Sequence, residues 1–466
     1  MAQSEDLQKH LKKRHVIMIT IGGMIGAGLF VGSGAIIKET GPAAIITYLL
    51  TGILVLFIAR MLGEMASAYP GAGSFSEHVR LALGNWAGFS CGWLYWYFWV
   101  VVVAFEATAG AGILRYWFSD TPLWLLSLCL IILLTLTNIF SVKSYGEFEY
   151  WFATIKIVAI ILFIIIGAAY ILGLWPGKAM SFENLTVHSG FAPHGIASIL
   201  KGVVVVIFAF LGSEIATITA AESNEPKEAI AGATRSVIWR ILIFYVGSIF
   251  IIVCILPWNH TGFLESPFVS VLEMLGIPGA SQIMNFVVLT AVLSCLNSGL
   301  YVASRMLFNL AKRGDAPRWF TKVNKKGVPM RALLSGTVVG YLSIIAAYYS
   351  PDIIFQFLLN SSGVVVLYIY LFVAAAQLRM RSRLEKENPQ LLLVKMWGFP
   401  YLTYFTIICM VVVLALLAFD ESMRSQLLLS TFSLAVVLIA YTIRSRRSPV
   451  KPFDSNTNVS KESMSK

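Results

Sequence analysis

The stretch Ile21-Gly-Gly-Met-Ile-Gly-Ala-Gly-Leu-Phe30 lies inside an apolar run, from about Val16 to Ile37, that is long enough to cross a bilayer. Glycine weakens a helix by about 0.5–1 kcal/mol relative to alanine and lets the backbone leave helical geometry. A membrane span can open only where it lines a protein cavity, because freed N–H and C=O groups would be unsatisfied in lipid. The stretch therefore indicates either a broken span at a ligand site or close packing of two helices through small residues, and alone it does not decide between them.

The composition is that of an integral membrane protein. Of the 466 residues 58% are hydrophobic and 13% are charged, and the mean hydropathy is +0.77. A soluble domain carries roughly 25% charged residues. The net charge of +11 does not indicate nucleic-acid binding, because the basic residues cluster at the ends of apolar runs, where they meet anionic lipid.

Hydropathy predicts an all-α polytopic membrane protein with about twelve transmembrane helices. The predicted spans cover residues 16–37, 42–66, 86–117, 123–141, 149–173, 197–221, 236–256, 279–311, 330–349, 353–378, 398–418 and 426–445. Lysine and arginine are frequent in the amino-terminal segment, after the eighth and tenth spans and in the tail, whereas residues 257–278 contain none. The excess of positive charge on the inside predicts that both termini lie in the cytoplasm and that the chain crosses the inner (cytoplasmic) membrane several times.

The sixth predicted span is interrupted like the first. It carries Gly212 and Ser213 near its centre, followed directly by Glu214, and it lies five spans after the first. Two matched interruptions are what a repeat of five helices, inverted in the membrane, would produce. The sequence therefore predicts discontinuous helices 1 and 6.

Several motifs run nearly the whole length of the chain. They include Gly63-Glu-Met65, Gly92-Trp-Leu-Tyr-Trp96, Tyr145-Gly-Glu-Phe-Glu-Tyr-Trp151 and Ser294-Cys-Leu-Asn-Ser-Gly-Leu-Tyr301. With them the chain resembles the amino acid–polyamine–organocation transporters, and within these the bacterial amino acid permeases, the γ-aminobutyric acid (GABA) permeases in particular. The resemblance implies a five-plus-five inverted repeat followed by two extra helices, and uptake of an amino acid with a proton. The implied division is a cytoplasmic segment 1–15, a first repeat 16–173, a second repeat 197–378, two extra helices 398–445 and a cytoplasmic tail 446–466.

The resemblance also implies where a zwitterionic amino acid would bind. Backbone N–H groups at the start of a half-helix suit a carboxylate, aided by the helix dipole. Carbonyl groups of the unwound sixth span suit the ammonium group. Phe208 matches an aromatic lid over the ligand, although without the resemblance it would be an ordinary core or lipid-facing residue. The implied carboxylate site is Ile25, Gly26, Ala27 and Gly28, and the implied ammonium site is Phe208, Ala209 and Leu211.

Lys156, inside the fifth span, is the first candidate for proton coupling, because ionisable residues within a membrane are costly and mark function. In proton-coupled relatives a lysine here stands where a sodium ion is bound in others, between spans one and eight. The alternative is snorkelling to the cytoplasmic interface. Ser294 is the expected neighbour of the lysine, and Asn297 is assigned to the substrate site. Packing between spans by small polar residues is the competing account for both.

Three further carboxylates need an interpretation. Glu214, beside the sixth-span break, is a candidate for facing the cavity, for gating it or for relaying a proton, or else it is a carboxylate neutralised by a structural hydrogen bond. Glu106, in the middle of the third span, is the candidate for contacting the far amine of the ligand, or else a protonated side chain packed against glycine. Glu149, at the start of the fifth predicted span, is expected to be an interfacial charge, as is Glu147.

The leading function is proton-coupled uptake of a small neutral or ω-amino acid such as GABA. An amino acid exchanger and a non-transporting amino acid sensor remain alternatives. The sequence has no ATP-binding Gly-x-x-x-x-Gly-Lys motif, no HExxH and no large soluble domain, which disfavours an enzyme or an ATP-driven pump. We expect no metal or cofactor and no nucleic-acid partner. The expected partners are an amino acid, protons and the lipid bilayer, and the sequence leaves the oligomeric state open.

Overall fold

The computed structural model describes residues 12–69, 74–140, 142–176, 180–210, 212, 214–219, 226–259, 266–324, 326–349 and 351–447. These residues form nineteen α-helices, with a π-helix at Arg240–Gly247 between α11 and α12, and no strand. The helices are α1 (Lys13–Met24), α2 (Ala27–Phe30), α3 (Gly32–Thr40), α4 (Ala44–Ala68), α5 (Phe75–Leu83), α6 (Asn85–Leu114), α7 (Leu123–Phe140), α8 (Val142–Ile171), α9 (Gly195–Ala209), α10 (Ile215–Thr219), α11 (Pro226–Trp239), α12 (Ser248–Ile255), α13 (Pro267–Met274), α14 (Ala280–Lys312), α15 (Met330–Gly336), α16 (Val338–Tyr349), α17 (Pro351–Glu387), α18 (Tyr401–Phe419) and α19 (Glu421–Arg447).

Eight helical segments of the described chain are long and apolar enough to cross a membrane. They are Ala27–Ala68, Asn85–Leu114, Tyr145–Ile171, Ile230–Ile255, Ala280–Lys312, Gly363–Glu387, Tyr401–Phe419 and Met423–Arg446. Three shorter apolar helices are Leu123–Ile139, Gly195–Ala209 and Met330–Ala346. The prediction of an all-helical membrane protein with several spans is confirmed.

The buried centre of the molecule is formed by α6 and α14, which pack along one another. In the most apolar window of each helix 83% of the residues are buried. Helix α1 packs against both α8 and α14, so the first glycine-rich segment lies next to this centre. The last helix, α19, is peripheral, and its Leu428 and Phe432 are 62% and 66% exposed. Apolar side chains on an outer surface are expected where the surrounding medium is lipid.

The first predicted span is broken at its glycines. Helix α1 ends at Met24, and α2 begins at Ala27. Between them Ile25 and Gly26 are extended, with φ/ψ of −95°/95° and −134°/−152°. Glycine permits this change of direction at low cost, and the surrounding helices keep the opened backbone out of lipid.

The sixth predicted span is also broken, between Ala209 at the end of α9 and Ile215 at the start of α10. Gly212 lies in this gap with φ of +125°, a conformation that favours glycine. A Cβ atom at Gly212 would lie 2.7 Å from the backbone nitrogen of Met24, so the two breaks touch each other. Leu211, to which the sequence assigned a carbonyl contact with the ligand, lies outside the described residues.

Buried charges connect three elements at one end of the molecule. Arg80 of α5 pairs with Asp315, which follows α14, and also with Glu77 at 3.2 Å. Arg444 of α19 reaches Asp315 at 2.6 Å. These ion pairs attach α5 and the last helix, α19, to the segment that follows α14.

Candidate functional site

The first break exposes carbonyl groups that other helices bind. Because α1 stops at Met24, the carbonyl oxygens of its last turn have no partner within the helix. Each of the four oxygens at positions 22–25 accepts a hydrogen bond from a side chain elsewhere in the chain. The pairs are Lys156 Nζ to Gly22 O (2.7 Å) and to Ile25 O (2.9 Å), Cys295 Sγ to Gly23 O (3.4 Å) and Tyr245 Oη to Met24 O (2.8 Å).

Lys156 is fully buried and points at the first break. Its ammonium group also donates to Ser294 Oγ at 2.8 Å, which gives it three acceptors with the two carbonyl oxygens. The structure therefore brings Lys156, the first span and Ser294 together as the sequence predicted, and it excludes snorkelling to an interface. The role of these residues in proton coupling stays a prediction.

Glu149 is not an interfacial charge, and this expectation is wrong. Its side chain is fully buried, and Ser294 Oγ donates a hydrogen bond to its Oε1. The prediction placed the start of the helix at Glu149, whereas α8 begins two turns earlier at Val142. Glu149 precedes Lys156 by seven residues, or two turns, so both side chains lie on the same face of α8. Ser294 consequently connects the lysine with a buried carboxyl group.

A small cavity lies between the two breaks. Its accessible volume is about 10 Å³, roughly the space for one water molecule. Its walls come from the first break, from α6, from the end of α9 and from α14: Gly23, Met24, Gly26, Gly28, Phe98, Trp99, Val102, Glu106, Phe208, Ala209 and Cys295. Gly26, Gly28, Phe208, Ala209 and Glu106 were predicted as substrate contacts, whereas Ile25 and Ala27 are buried beside the cavity without lining it.

Glu106 caps the amino-terminal end of α2. The Ala27 N–H donates to both carboxylate oxygens of Glu106, at 3.1 Å each. This N–H is one of the groups that the prediction assigned to the ligand's carboxylate. In this structure a carboxylate of the chain itself occupies that position, and it is 2% exposed. A ligand carboxylate that reaches Ala27 must therefore displace or share the Glu106 contact.

Phe208 closes one wall of the cavity. It is 6% exposed and meets Phe105 edge to face at 5.0 Å and Phe98 at 5.9 Å. It is therefore not a lipid-facing residue. Phe98 and Val102 were not predicted as cavity residues. With Glu106 they form a series spaced four residues apart, which places all three on one face of α6. That spacing was the available signal.

Asn297 and Glu214 do not line the cavity either. Asn297 Oδ1 accepts a hydrogen bond from Asn138 Nδ2 of α7 at 2.6 Å. Asn297 follows the cavity residue Cys295 by two positions in α14. That separation is a rotation of roughly 200° around the helix axis, so Asn297 faces away from the cavity. Glu214 Oε1 instead accepts from Gly212 N–H at 3.1 Å and from Tyr95 Oη at 3.2 Å. Glu214 thus stabilises the second break from within.

Tyr245, in the π-helix, bridges the two breaks and was not predicted. Its hydroxyl group lies 2.8 Å from Met24 O and 2.7 Å from Ala209 O, and its ring stacks on Phe210 at 4.2 Å. The signal in the sequence was weak: a tyrosine within an apolar run, whose hydroxyl group needs a partner when buried. In the described part of the chain no group of three or more His, Cys, Asp or Glu residues could hold a metal ion.

Known proteins resemble this chain over nearly its full length. The model of the family described as amino acid permease matches residues 15–451. The chain is 58% identical over 449 residues to a γ-aminobutyric acid permease of Bacillus subtilis (strain 168), covering 96% of each protein. It is 46% identical over 440 residues to a γ-aminobutyric acid permease of Escherichia coli (strain K12), and 40% identical over 443 residues to an aromatic amino acid transport protein of Corynebacterium glutamicum, each alignment covering 94% of both proteins. This chain therefore belongs to the amino acid permease family and is a membrane transporter of amino acids.

Proposed function

We propose that this protein takes up GABA, or a closely similar small ω-amino acid, together with a proton. The observation that carries the proposal is Lys156, a buried ammonium group bound to the carbonyl oxygens of a broken span beside a small cavity. Two relatives that cover nearly the whole chain carry the name of GABA permeases, at 58% and 46% identity.

The proposed topology has twelve crossings with both ends in the cytoplasm. The segment Ala27–Ala68 has 42 residues, which at about 1.5 Å per residue is roughly twice the thickness of the hydrocarbon core. Counting that segment as two crossings and adding the three shorter apolar helices gives twelve crossings among the described residues. Breaks after α1 and after α9 support an inverted repeat of 16–173 and 197–378, followed by 398–445. The distribution of lysine and arginine supports the orientation.

The proposed ligand pose uses both breaks. The ligand's carboxylate takes the Ala27 N–H at the start of α2, with the backbone of Ile25, Gly26 and Gly28 around it, and displaces Glu106. The amine of an ω-amino acid then pairs with the displaced Glu106 carboxylate near the carbonyl groups beside Phe208. A zwitterion suits this exchange. Its carboxylate replaces that of Glu106 at the Ala27 N–H, and its ammonium group neutralises the displaced Glu106 carboxylate.

Proton coupling is assigned to the number of hydrogen bonds that Lys156 can donate. A protonated lysine has three donors, and Lys156 has three acceptors: Gly22 O, Ile25 O and Ser294 Oγ. A neutral amine has two donors, so loss of the proton releases one acceptor and loosens the hold on the first break. Protonation at Lys156 would thereby change the stability of the segment that binds the ligand. Glu214, which stabilises the second break, is the second residue that we assign to proton coupling.

The test is uptake of labelled amino acids by proteoliposomes containing the purified protein. GABA, alanine, lysine and phenylalanine are compared with and without an inward proton gradient. We expect GABA to accumulate above its external concentration only with the gradient, and the others to compete weakly. Uptake that requires preloading with an amino acid, and that is the same with and without the gradient, would make the protein an exchanger. Binding of an amino acid with no uptake in either condition would make it a sensor.

A further inference from the structure

We propose that Glu149 accepts the proton from Lys156 through the hydroxyl group of Ser294 and passes it towards the cytoplasm. This inference rests on the proposed proton symport and adds the exit path of the proton. Glu149 belongs to the Tyr145–Trp151 motif, but it does not line the cavity, and the proposed ligand pose does not use it. Its place in the structure assigns this role.

The three side chains form one continuous chain of hydrogen bonds. Lys156 Nζ donates to Ser294 Oγ at 2.8 Å, and Ser294 Oγ donates to Glu149 Oε1. A serine hydroxyl group can accept one hydrogen bond while it donates another. All three side chains are fully buried, so the chain is shielded from competing water.

The transfer conserves atoms and charge. An Nζ–H bond of Lys156 breaks and an Oγ–H bond forms on Ser294, while the original hydroxyl proton of Ser294 moves to Glu149 Oε1. The products are a neutral amine, the same serine and a carboxylic acid. An ammonium and a carboxylate buried in a membrane protein are thus replaced by two neutral groups, which removes the cost of keeping two charges away from water.

The relay has a direction along α8. Glu149 lies seven residues before Lys156, or about 10 Å nearer the Val142 end of the helix. Near that end Glu147 is partly exposed and pairs with Arg14 at 2.9 Å. The orientation proposed above puts this end at the cytoplasm. The proton therefore moves away from the ligand and towards the compartment into which the ligand is released.

The surroundings of Glu149 allow it to carry a proton, because Lys156 is the charged group beside it. Its neighbours from α1 and α14 are uncharged: Gly22 packs directly against the carboxyl group, and Asn297 and Ser298 lie close by. Lys156, on α8 itself, is the charged group that acts on it. Oε2 is buried, and the side chains of Ser298 and Asn297 are placed to interact with the carboxyl group.

The test compares Glu149→Gln with Glu147→Gln, which makes the same chemical change two residues away on the same helix. Both variants are reconstituted, and two quantities are measured: GABA accumulation driven by an inward proton gradient, and counterflow of labelled against unlabelled GABA without a gradient. For Glu149→Gln we expect the initial rate of gradient-driven accumulation to fall by about 100-fold or more, the range for loss of a positioned acid or base, with counterflow close to wild type. Glu147→Gln should retain both.

Two further variants separate the relay from a role in folding. Ser294→Ala removes the middle hydroxyl group and should show the same split between accumulation and counterflow. Glu149→Asp keeps a carboxyl group and should recover part of the accumulation with an altered pH dependence. Normal accumulation in Glu149→Gln or in Ser294→Ala overturns the inference, as does equal loss of accumulation and counterflow in both. If the wild-type protein shows no accumulation driven by the gradient, the proposed symport itself fails.

Discussion

At the scale of single residues, one hydroxyl group joins the two broken helices. Tyr245 Oη lies within hydrogen-bond distance of Met24 O and Ala209 O, the last residues of α1 and α9. It has one hydrogen to share between two carbonyl groups. Without this hydroxyl group both carbonyl oxygens would remain buried, and each would lose a hydrogen-bond donor. The residue therefore contributes to the stability of the breaks themselves.

Replacing Tyr245 with phenylalanine should destabilise the protein by about 1–3 kcal/mol, because two buried carbonyl groups lose their donor. Tyr48→Phe is the matched control. Tyr48 is also fully buried and its ring lies 6.4 Å from that of Tyr245, but its hydroxyl group has no partner among the described residues. Thermal unfolding of the purified variants measures both effects. A melting temperature that is equal in the two variants would contradict the bridging role.

At the scale of elements, the site depends on contact between two interrupted helices. Gly212 lies where the two breaks meet, and there is no room for a side chain at this position. A Cβ atom there would lie 2.7 Å from Met24 N and 2.8 Å from Gly23 C. Its φ of +125° is also unfavourable for any other residue. Backbone atoms cannot move aside as a flexible side chain can, so the two breaks require glycine at this position.

Gly212→Ala should therefore abolish or strongly reduce uptake while the protein still reaches the membrane. Gly112→Ala serves as the control, since Gly112 lies in α6 with no atom within 4 Å of a Cβ placed there. Uptake of labelled GABA, normalised to the amount of protein in the membrane, is the measurement. Wild-type uptake in Gly212→Ala would mean that the breaks do not need their observed contact.

The positions of both breaks could be predicted from the sequence, because glycine acts locally on the backbone. Other parts of the site depend on distant contacts. Tyr245 meets carbonyl groups 36 and 221 positions away, and no local pattern announces that meeting. Glu149 was misplaced because the hydrophobic pattern located the start of the fifth span two turns late. Asn297 was assigned to the substrate site because the sequence of a helix does not show which of its polar side chains face the cavity.

At the scale of the whole molecule, α6 and α14 provide the buried frame against which the breaks are held. Helix α6 supplies Glu106 and the aromatic wall, and α14 supplies Ser294 and Cys295. In this arrangement the cavity has room for about one water molecule, so admission of a ligand requires the breaks to move relative to that frame. In the mechanism that we propose, such movement changes which carbonyl groups Lys156 can reach and so links ligand binding to the charge of the lysine.

The most direct test of this account is the effect of Lys156→Met on two kinds of transport. Gradient-driven accumulation of GABA and counterflow are measured in the same proteoliposomes, with Lys38→Met as the control because Lys38 is exposed on α3. The account predicts that Lys156→Met loses accumulation but retains counterflow, and that Lys38→Met retains both. A Lys156→Met protein that still concentrates GABA under an imposed pH step would contradict the role of the lysine in coupling protons to the broken helices.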